Sequence, residues 1–401
     1  MATHITERLL HLGTLLRNRQ LSAADLRKLQ DNKLCAVVNH AYENVPYYRS
    51  KFDSAGLTPD DVRTVEDLPK VPITTKDELR AAGLQSIVAR GTDLSSCVPI
   101  LTSGTTGRPF RIYLSKREGA ARRLIHFRAV YSIGFRPRDR LVIHGPTVEA
   151  PQRLRFRLGL FRTQVMHAGL SLESQVHRIR ESRPTLLWSY PSSLHAVLHM
   201  VDYRLSNLAS PRALITSGEV FRDNLKERVR TDLDVPMFNL YGTMEFGRIA
   251  VECTTHEGLH INADQLILEC VSNGKPAPLG RPGVVVVTSL ANYVMPFIRY
   301  QLEDICALLE RRCSCGCAFP LISAPRGRVC DMLQLPSGKL LAPAQPHFIL
   351  RPLDCIDRFL LIQERRDRFV LQLEVRETPS QDVLSEISSK FAQFFAEPVE
   401  F

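Results

Sequence analysis

No apolar run in this 401-residue chain approaches the roughly 20 residues that a membrane-spanning helix needs. A membrane protein is therefore not expected. A secretory signal is also missing: Leu9 to Leu16 is short, is flanked by Arg8 and Arg17, and is followed by no small-residue cleavage site. That reading predicts a cytoplasmic protein. Internal repeats and low-complexity tracts are absent as well. The formal net charge is +10, but the basic residues are scattered rather than gathered on one stretch, which argues against a nucleic-acid partner. A basic surface instead suits small anionic substrates or an acidic partner protein.

What is present is ordinary for a globular chain, with 44% hydrophobic and 23% charged residues, and the length predicts two or more domains. Ten cysteines in a cytoplasmic chain are not read as disulfides. Several lie close together in sequence, which raises metal binding instead.

The first fifty residues read as helical. Leu9, Leu12 and Leu16 share a face, and a second amphipathic run covers Asp25 to Tyr42. Thr75 and Glu78 have capping-box spacing, so a helix is expected to start there. From about Leu101, short apolar runs alternate with helical stretches, as in Leu141-Val142-Ile143, Thr185 to Trp188 and Ala213-Leu214-Ile215. That alternation predicts parallel α/β layers. From Gln265 the strands become denser, with a β-branched run at Val284 to Thr288. A boundary is expected near Gly327. Beyond it, strands Phe359 to Gln363 and Phe369 to Val375 are joined by Glu364 to Arg368. A helix capped by Ser380 follows, with Val383, Ile387 and Phe391 on one face.

The segment Thr102-Ser103-Gly104-Thr105-Thr106-Gly107-Arg108-Pro109 packs three hydroxyls after its first residue and two glycines into eight positions. Glycines let a backbone approach a phosphate closely. Successive N–H groups and hydroxyls can line an anion-binding concavity, and a guanidinium such as Arg108 grips phosphate oxygens with two bonds. No Gly-Lys-Ser/Thr follows at Walker spacing. The order of residues resembles the phosphate loop of the adenylate-forming superfamily of acyl-CoA synthetases, adenylation domains and luciferases. Within it, the chain is most similar to the phenylacetate–CoA ligase family. That family's N-terminal signature is matched by His40-Ala41-Tyr42-Glu43-Asn44-Val45-Pro46-Tyr47-Tyr48 and by Leu68 to Lys76. The resemblance runs from about residue 35 to about residue 375.

Other segments sit where open α/β sheets bind ligands, at strand ends. Ser217-Gly218-Glu219 follows Ala213 to Ile215, and Asn239-Leu240-Tyr241-Gly242-Thr243-Met244-Glu245 follows Val235 to Phe238. A glycine there lets a planar base lie against the backbone, and Tyr241 can stack on it. A carboxylate beside triphosphate makes sense through Mg²⁺, which neutralises both. The resemblance assigns Gly218, Glu219 and Tyr241 to the adenine pocket, with Asn239 and Gly242 as further nucleotide-binding residues. It assigns Thr243 to the phosphate and Glu245 to the magnesium ion. It places Asp304, in Pro296 to Asp304, on the ribose hydroxyls, although Glu303 stands where the family has Gly. Arg328, after Gly327 at the hinge into the small domain, reaches ribose or phosphate, and Asp331 stands where the family pivots.

Cys313-Ser314-Cys315-Gly316-Cys317 places three thiols within five residues, with Cys253, His256 and His260 upstream. Thiolate and imidazole together suit tetrahedral Zn²⁺, and ligand pairs from distant segments could clip a β-rich region. Reduced, unligated cysteines are the alternative. The resemblance favours Cys253, His260, Cys313 and Cys315 as structural zinc ligands, with Cys317 as an alternative.

The family's terminal lysine, which stabilises charge during adenylation, has no counterpart before the sequence stops at Phe401. Neither Lys339 nor Lys390 matches its context, so a truncated small domain is expected. The expected architecture is α/β: a large domain over 1–326, with doubly wound α/β subdomains and a β-rich subdomain, then a small α+β domain over 327–401. The resemblance implies a ligase in which ATP and a carboxylic acid, aromatic by preference, give acyl-adenylate and pyrophosphate. Coenzyme A, a carrier-protein thiol or an amine then receives the acyl group. The acid pocket is expected near Tyr190 to Ser193 and Phe246-Gly247. The partners are then a small-molecule acid, with an acyl-carrier protein and a second copy of the chain as further candidates. Two other readings stay open: adenylation of a non-carboxylate group, and a nucleotide-binding scaffold without turnover.

Overall fold

The computed structural model describes residues 2–101, 110–145, 159–160, 162–219, 229, 231–325, 333–341, 346, 349–350, 353, 355–375 and 378–401. Within these, the chain forms two compact units. One comprises 2–101, 110–134 and 240–325, and the other comprises 135–239 and the described residues from 333 to 401.

The first unit opens with the helices the leucine spacing predicts, Ala2–Arg17 and Ala23–Asn44. The second of these is capped by Ser22, whose hydroxyl accepts from the Asp25 N–H at 3.0 Å. Pro46 then opens a helix to Ser54, where its missing N–H costs nothing. Leu34, Val37, Val38, Tyr48 and Phe52 of these helices are buried against Ile267, Leu290 and Ile298. The family signature at 40–48 is therefore largely packing. The Tyr48 hydroxyl, for example, is buried and accepts from the Ile298 N–H at 2.9 Å.

The expected capping box at Thr75 and Glu78 is present in both directions, at 3.2 and 3.1 Å. Just before it, Thr74 bridges in parallel to Tyr300, exchanging backbone bonds with Arg299 and Gln301 at 2.8 and 2.9 Å. The β-rich part has strands Leu266–Ser272, Gly283–Ser289 and Tyr300–Cys306 paired antiparallel. Strands Gly247–Glu252 and Leu259–Ile261 also pair antiparallel. Glu303 lies within strand Tyr300–Cys306 where the ladder shifts register: Val284 pairs with Ile305 and Val286 with Gln301, so residues 302–304 bulge opposite Val285.

The second unit holds the parallel layer. Strand Arg140–Gly145 lies between Arg162–His167 and Leu186–Ser189, and Leu186–Ser189 lies beside Ala213–Ser217, all parallel. After Arg162–His167 the chain returns past Arg140–Gly145 to its other side, so the strand order reverses there, as in a doubly wound sheet. Leu186–Ser189 is buried at every position, as a two-sided parallel strand should be. Helices Leu172–Ser182 and Pro191–Met200 supply Val176, Ile179, Leu194 and Val197 to the core over Val142, Leu187 and Leu214. Towards the C-terminus, Ile356–Arg365 and Arg368–Val375 form an antiparallel hairpin. The turn is only Arg366 and Asp367, so both strands run further than the sequence predicted; charged residues at the hairpin end hide the alternation. Helix Gln381–Phe395 is capped by Ser380 as expected and buries Ile387, Phe391, Phe394 and Phe395 around Phe369. Among the described residues, no helix is long and apolar enough to cross a membrane.

Candidate active site

Strand Met237–Thr243 carries Asn239, Tyr241, Gly242 and Thr243 to a tight reversal, and Gly247–Glu252 returns beside it. The two backbones touch at Gly242: a Cβ built there would lie 2.2 Å from the Gly247 carbonyl oxygen. Only glycine permits that approach. The Thr243 hydroxyl accepts from the Phe246 N–H at 3.4 Å and closes the turn. Glu245 is at the tip and is buried. Its Oε1 lies 3.4 Å from the Tyr300 hydroxyl and 3.9 Å from Lys76 Nζ. Phe246, beside it, packs against Phe297 and Tyr300 with ring centroids 5.5 and 5.9 Å away.

Asp304 stands on strand Tyr300–Cys306 and accepts a hydrogen bond from the Tyr241 hydroxyl at 2.8 Å. Burial, reinforced by the Asp304 charge, holds the Tyr241 phenol well above its ordinary range, so it stays a donor. The structure thus joins the residue expected at adenine to the residue expected at ribose.

In the second unit, Gly218 follows strand Ala213–Ser217 with φ +86°, and a Cβ there would meet the Tyr190 ring at 2.8 Å. The ring lying against this glycine is therefore Tyr190. Glu219 accepts from the Ser192 N–H at 2.9 Å and from its hydroxyl at 2.8 Å. This sets a carboxylate on the N-terminus of helix Pro191–Met200, where helix dipole and free N–H groups favour negative charge. Burial pushes the Glu219 carboxyl upward, against the Ser192 bonds that lower it. The phosphate-loop residues Thr102, Ser103, Gly104, Thr105, Thr106, Gly107 and Arg108 lie outside the described residues, as do Gly327, Arg328 and Asp331.

Cys253, His260, Cys313 and Cys315 come together, with one ligand atom from each within 4.8 Å of all the others. Cys253 Sγ is 3.4 Å from Cys313 Sγ, and Cys315 Sγ is 3.3 Å from His260 Nε2. His260 Nδ1 is 3.0 Å from the Phe319 carbonyl, which fixes the ring with Nε2 toward the thiols. His256 instead pairs with Glu252 at 3.0 Å. Cys317 is buried close by but lies outside the four-atom set.

A family model described as AMP-binding enzyme matches residues 21–291. The chain is 30% identical over 300 residues to the phenylacetate–coenzyme A ligase of Escherichia coli, covering 72% of this chain and 68% of that protein. The chain belongs to the phenylacetate–CoA ligase family of AMP-binding enzymes. It is an adenylate-forming ligase. The Thermus thermophilus phenylacetate–coenzyme A ligase is 28% identical over 392 residues, with 91% and 84% of the two chains covered. Among solved structures, 2-hydroxyisobutyryl-CoA ligase in complex with 2-HIB-AMP and CoA matches with a TM-score of 0.68 at 22% identity. It covers 96% of this chain and 87% of that one, and it supports the fold.

Three residues around Glu245 of this ligase had no role in the sequence reading. Lys76 reaches it because Thr74 is bridged to Tyr300, and Tyr300 faces it from the next element. Arg122, on helix Lys116–Ser132, donates to the Met244 carbonyl at 2.8 Å and to the Glu245 carbonyl. No local motif marks any of these pairings.

Proposed function

We propose that this ligase activates a carboxylic acid of the aromatic class with ATP and then passes the acyl group to coenzyme A. In the first step a carboxylate oxygen attacks the α-phosphorus. The bond from that phosphorus to the oxygen bridging to the β-phosphate breaks, and pyrophosphate leaves with the electron pair. In the second step the thiol sulfur attacks the acyl carbonyl carbon, AMP departs with the bonding pair, and the thiol proton passes to solvent. Little covalent help is required, so the protein contributes orientation and charge stabilisation.

The observation that carries this reading is the hairpin tip, where Gly242 lets two strands touch and a buried Glu245 sits beside Tyr300 and Lys76. A buried carboxylate with only long contacts to these side chains keeps acceptor capacity for a hard cation, so Glu245 suits magnesium. Magnesium, when bound, would neutralise triphosphate charge. Around it, Thr243 would turn its hydroxyl to a phosphate, Tyr241 would border adenine, and Asp304 would hold ribose. Thr102 to Arg108 and Arg328 would contact the phosphates. The names of the relatives, phenylacetate–coenzyme A ligases, support the acid class and the acceptor. The Cys253, His260, Cys313 and Cys315 set suits a structural zinc, since the second imidazole nitrogen is already held by a carbonyl.

The test is pyrophosphate release from MgATP with a panel of aryl and alkyl acids that includes phenylacetate, followed by intact-mass analysis of products with coenzyme A. Release with an aryl acid and a thioester product are expected. ATP binding without release for any acid would remove the ligase reading. Adenylate without thioester would move the acceptor to a carrier-protein thiol or an amine.

A further inference from the structure

The Glu245 side chain is only as well placed as the turn that holds it, and that turn is gripped from a helix far away in sequence. Helix Lys116–Ser132 begins with a capping box between Ser115 and Glu118. Glu118 also accepts from the Tyr293 and Val294 N–H groups at 2.6 and 3.1 Å, which ties the helix start to the loop before Tyr300. One turn on, Arg122 directs its guanidinium into the hairpin tip. Nη1 donates to the Met244 carbonyl at 2.8 Å, and Nη2 donates to the Glu245 carbonyl. Asn292 adds a longer contact to the same Glu245 oxygen at 3.4 Å. Gly247 is the other half of the fit: a Cβ there would lie 3.6 Å from Arg122 Cδ, in a residue with φ +71°. Burial lowers the Arg122 guanidinium to about 10, with Glu118 and Glu245 opposing the shift, so it stays charged at neutral pH.

We infer that Arg122 is a positioning residue for magnesium: by holding two consecutive carbonyls of the 244–245 turn it fixes the direction in which Glu245 presents its carboxylate. A planar fork can hold two carbonyls at once, and a lysine ammonium cannot reproduce that geometry. The inference rests on the reading of Glu245 as the magnesium carboxylate. Loss of a partner that orients a metal ligand typically lowers metal affinity about 10–100-fold.

The experiment is calorimetric titration of ATP into the purified full chain, with magnesium and with EDTA, for wild type, Arg122→Gln, Arg122→Lys and Glu245→Gln. In the wild type, magnesium is expected to tighten ATP binding. Arg122→Gln should reduce that gain about tenfold while ATP binding in EDTA stays at the wild-type level. Arg122→Lys should fall between. A merely structural role would lower the melting temperature and leave the magnesium gain intact. If Glu245→Gln abolishes the gain while Arg122→Gln keeps it, the positioning role is overturned and the magnesium reading stands. If Glu245→Gln itself keeps the gain, the magnesium reading fails, and the role of Arg122 fails with it. Should Arg122→Gln not fold, Arg122→Lys decides alone: a several-fold smaller gain supports the inference, and the wild-type gain overturns it.

Discussion

Glycine positions in this chain differ in what a single methyl would do. At Gly242 the methyl would stand 2.2 Å from the Gly247 carbonyl oxygen, a backbone atom that cannot swing aside. Gly242→Ala must therefore open the hairpin that carries Thr243 and Glu245. A loss of about 3 kcal/mol, at the upper end for overpacking, is expected, with ATP affinity falling as well. Thermal melting and ATP titration check it, and a variant with wild-type melting would remove the argument. Gly13 is the opposite case. It lies inside helix Ala2–Arg17 with nothing within 4 Å of a built Cβ. Gly13→Ala should raise stability by about 0.5–1 kcal/mol through helix propensity, read as a higher urea midpoint. Tyr241→Phe tests a third kind of contact. Removing a phenol that donates to the Asp304 carboxylate at 2.8 Å should cost about 1.5–3 kcal/mol. An unchanged denaturation midpoint would mean that water replaces the phenol without loss.

At the level of elements, the parallel layer is pinned at one point by charge. Asp139 precedes strand Arg140–Gly145 and is buried. It accepts from Arg212, from the Thr185 hydroxyl at 2.8 Å and from the Arg136 N–H at 2.6 Å. Burial alone would raise its pKa, but Arg212 and the other donors outweigh that and leave it below the ordinary value. A depressed folded pKa contributes stability that is present above the unfolded value, near 4, and is lost as pH falls through the folded pKa. Acid unfolding should therefore steepen below about pH 4 in the wild type and flatten in Asp139→Asn. An identical acid limb in both proteins would dismiss Asp139 as a source. The thiol cluster makes a second claim on elements. If zinc clips the turn after Glu252 to the 313–315 loop, purified protein should carry one zinc per chain, and Cys253→Ser should lose metal and melt earlier. Zinc-free wild-type protein of full stability would refute the clip.

Much of this level was legible because its signals are local. The Thr75–Glu78 box, the Ser380 cap and the apolar runs at Leu141, Leu186 and Ala213 each depend on a few consecutive residues. The joins between them were not. Tyr241 meets Asp304 across 63 positions, and Arg122 meets the Glu245 carbonyl across 123. Neither pairing leaves a trace in local periodicity. Clustered thiols and imidazoles raised a metal site, and the family resemblance, not their spacing, picked out Cys253, His260, Cys313 and Cys315.

For the molecule as a whole, the surplus of 52 basic over 42 acidic residues gives a net positive charge that attracts anions. For a ligase whose substrates include ATP and a carboxylate, the field of that charge acts on encounter rather than on chemistry. At low salt it should raise the rate at which nucleotide and acid arrive, and added salt should screen it once the Debye length shrinks from about 10 Å at 0.1 M to about 3 Å at 1 M. The contacts at the buried Glu245 are screened much less, because they are shielded from solvent. The two effects separate in kinetics. Raising potassium chloride across that range should lower kcat/KM for MgATP several-fold and leave kcat nearly level. An equal fall in both would place the salt effect in the chemical step or in folding. A flat kcat/KM would mean that the basic surplus is distributed too evenly over the surface to steer a substrate.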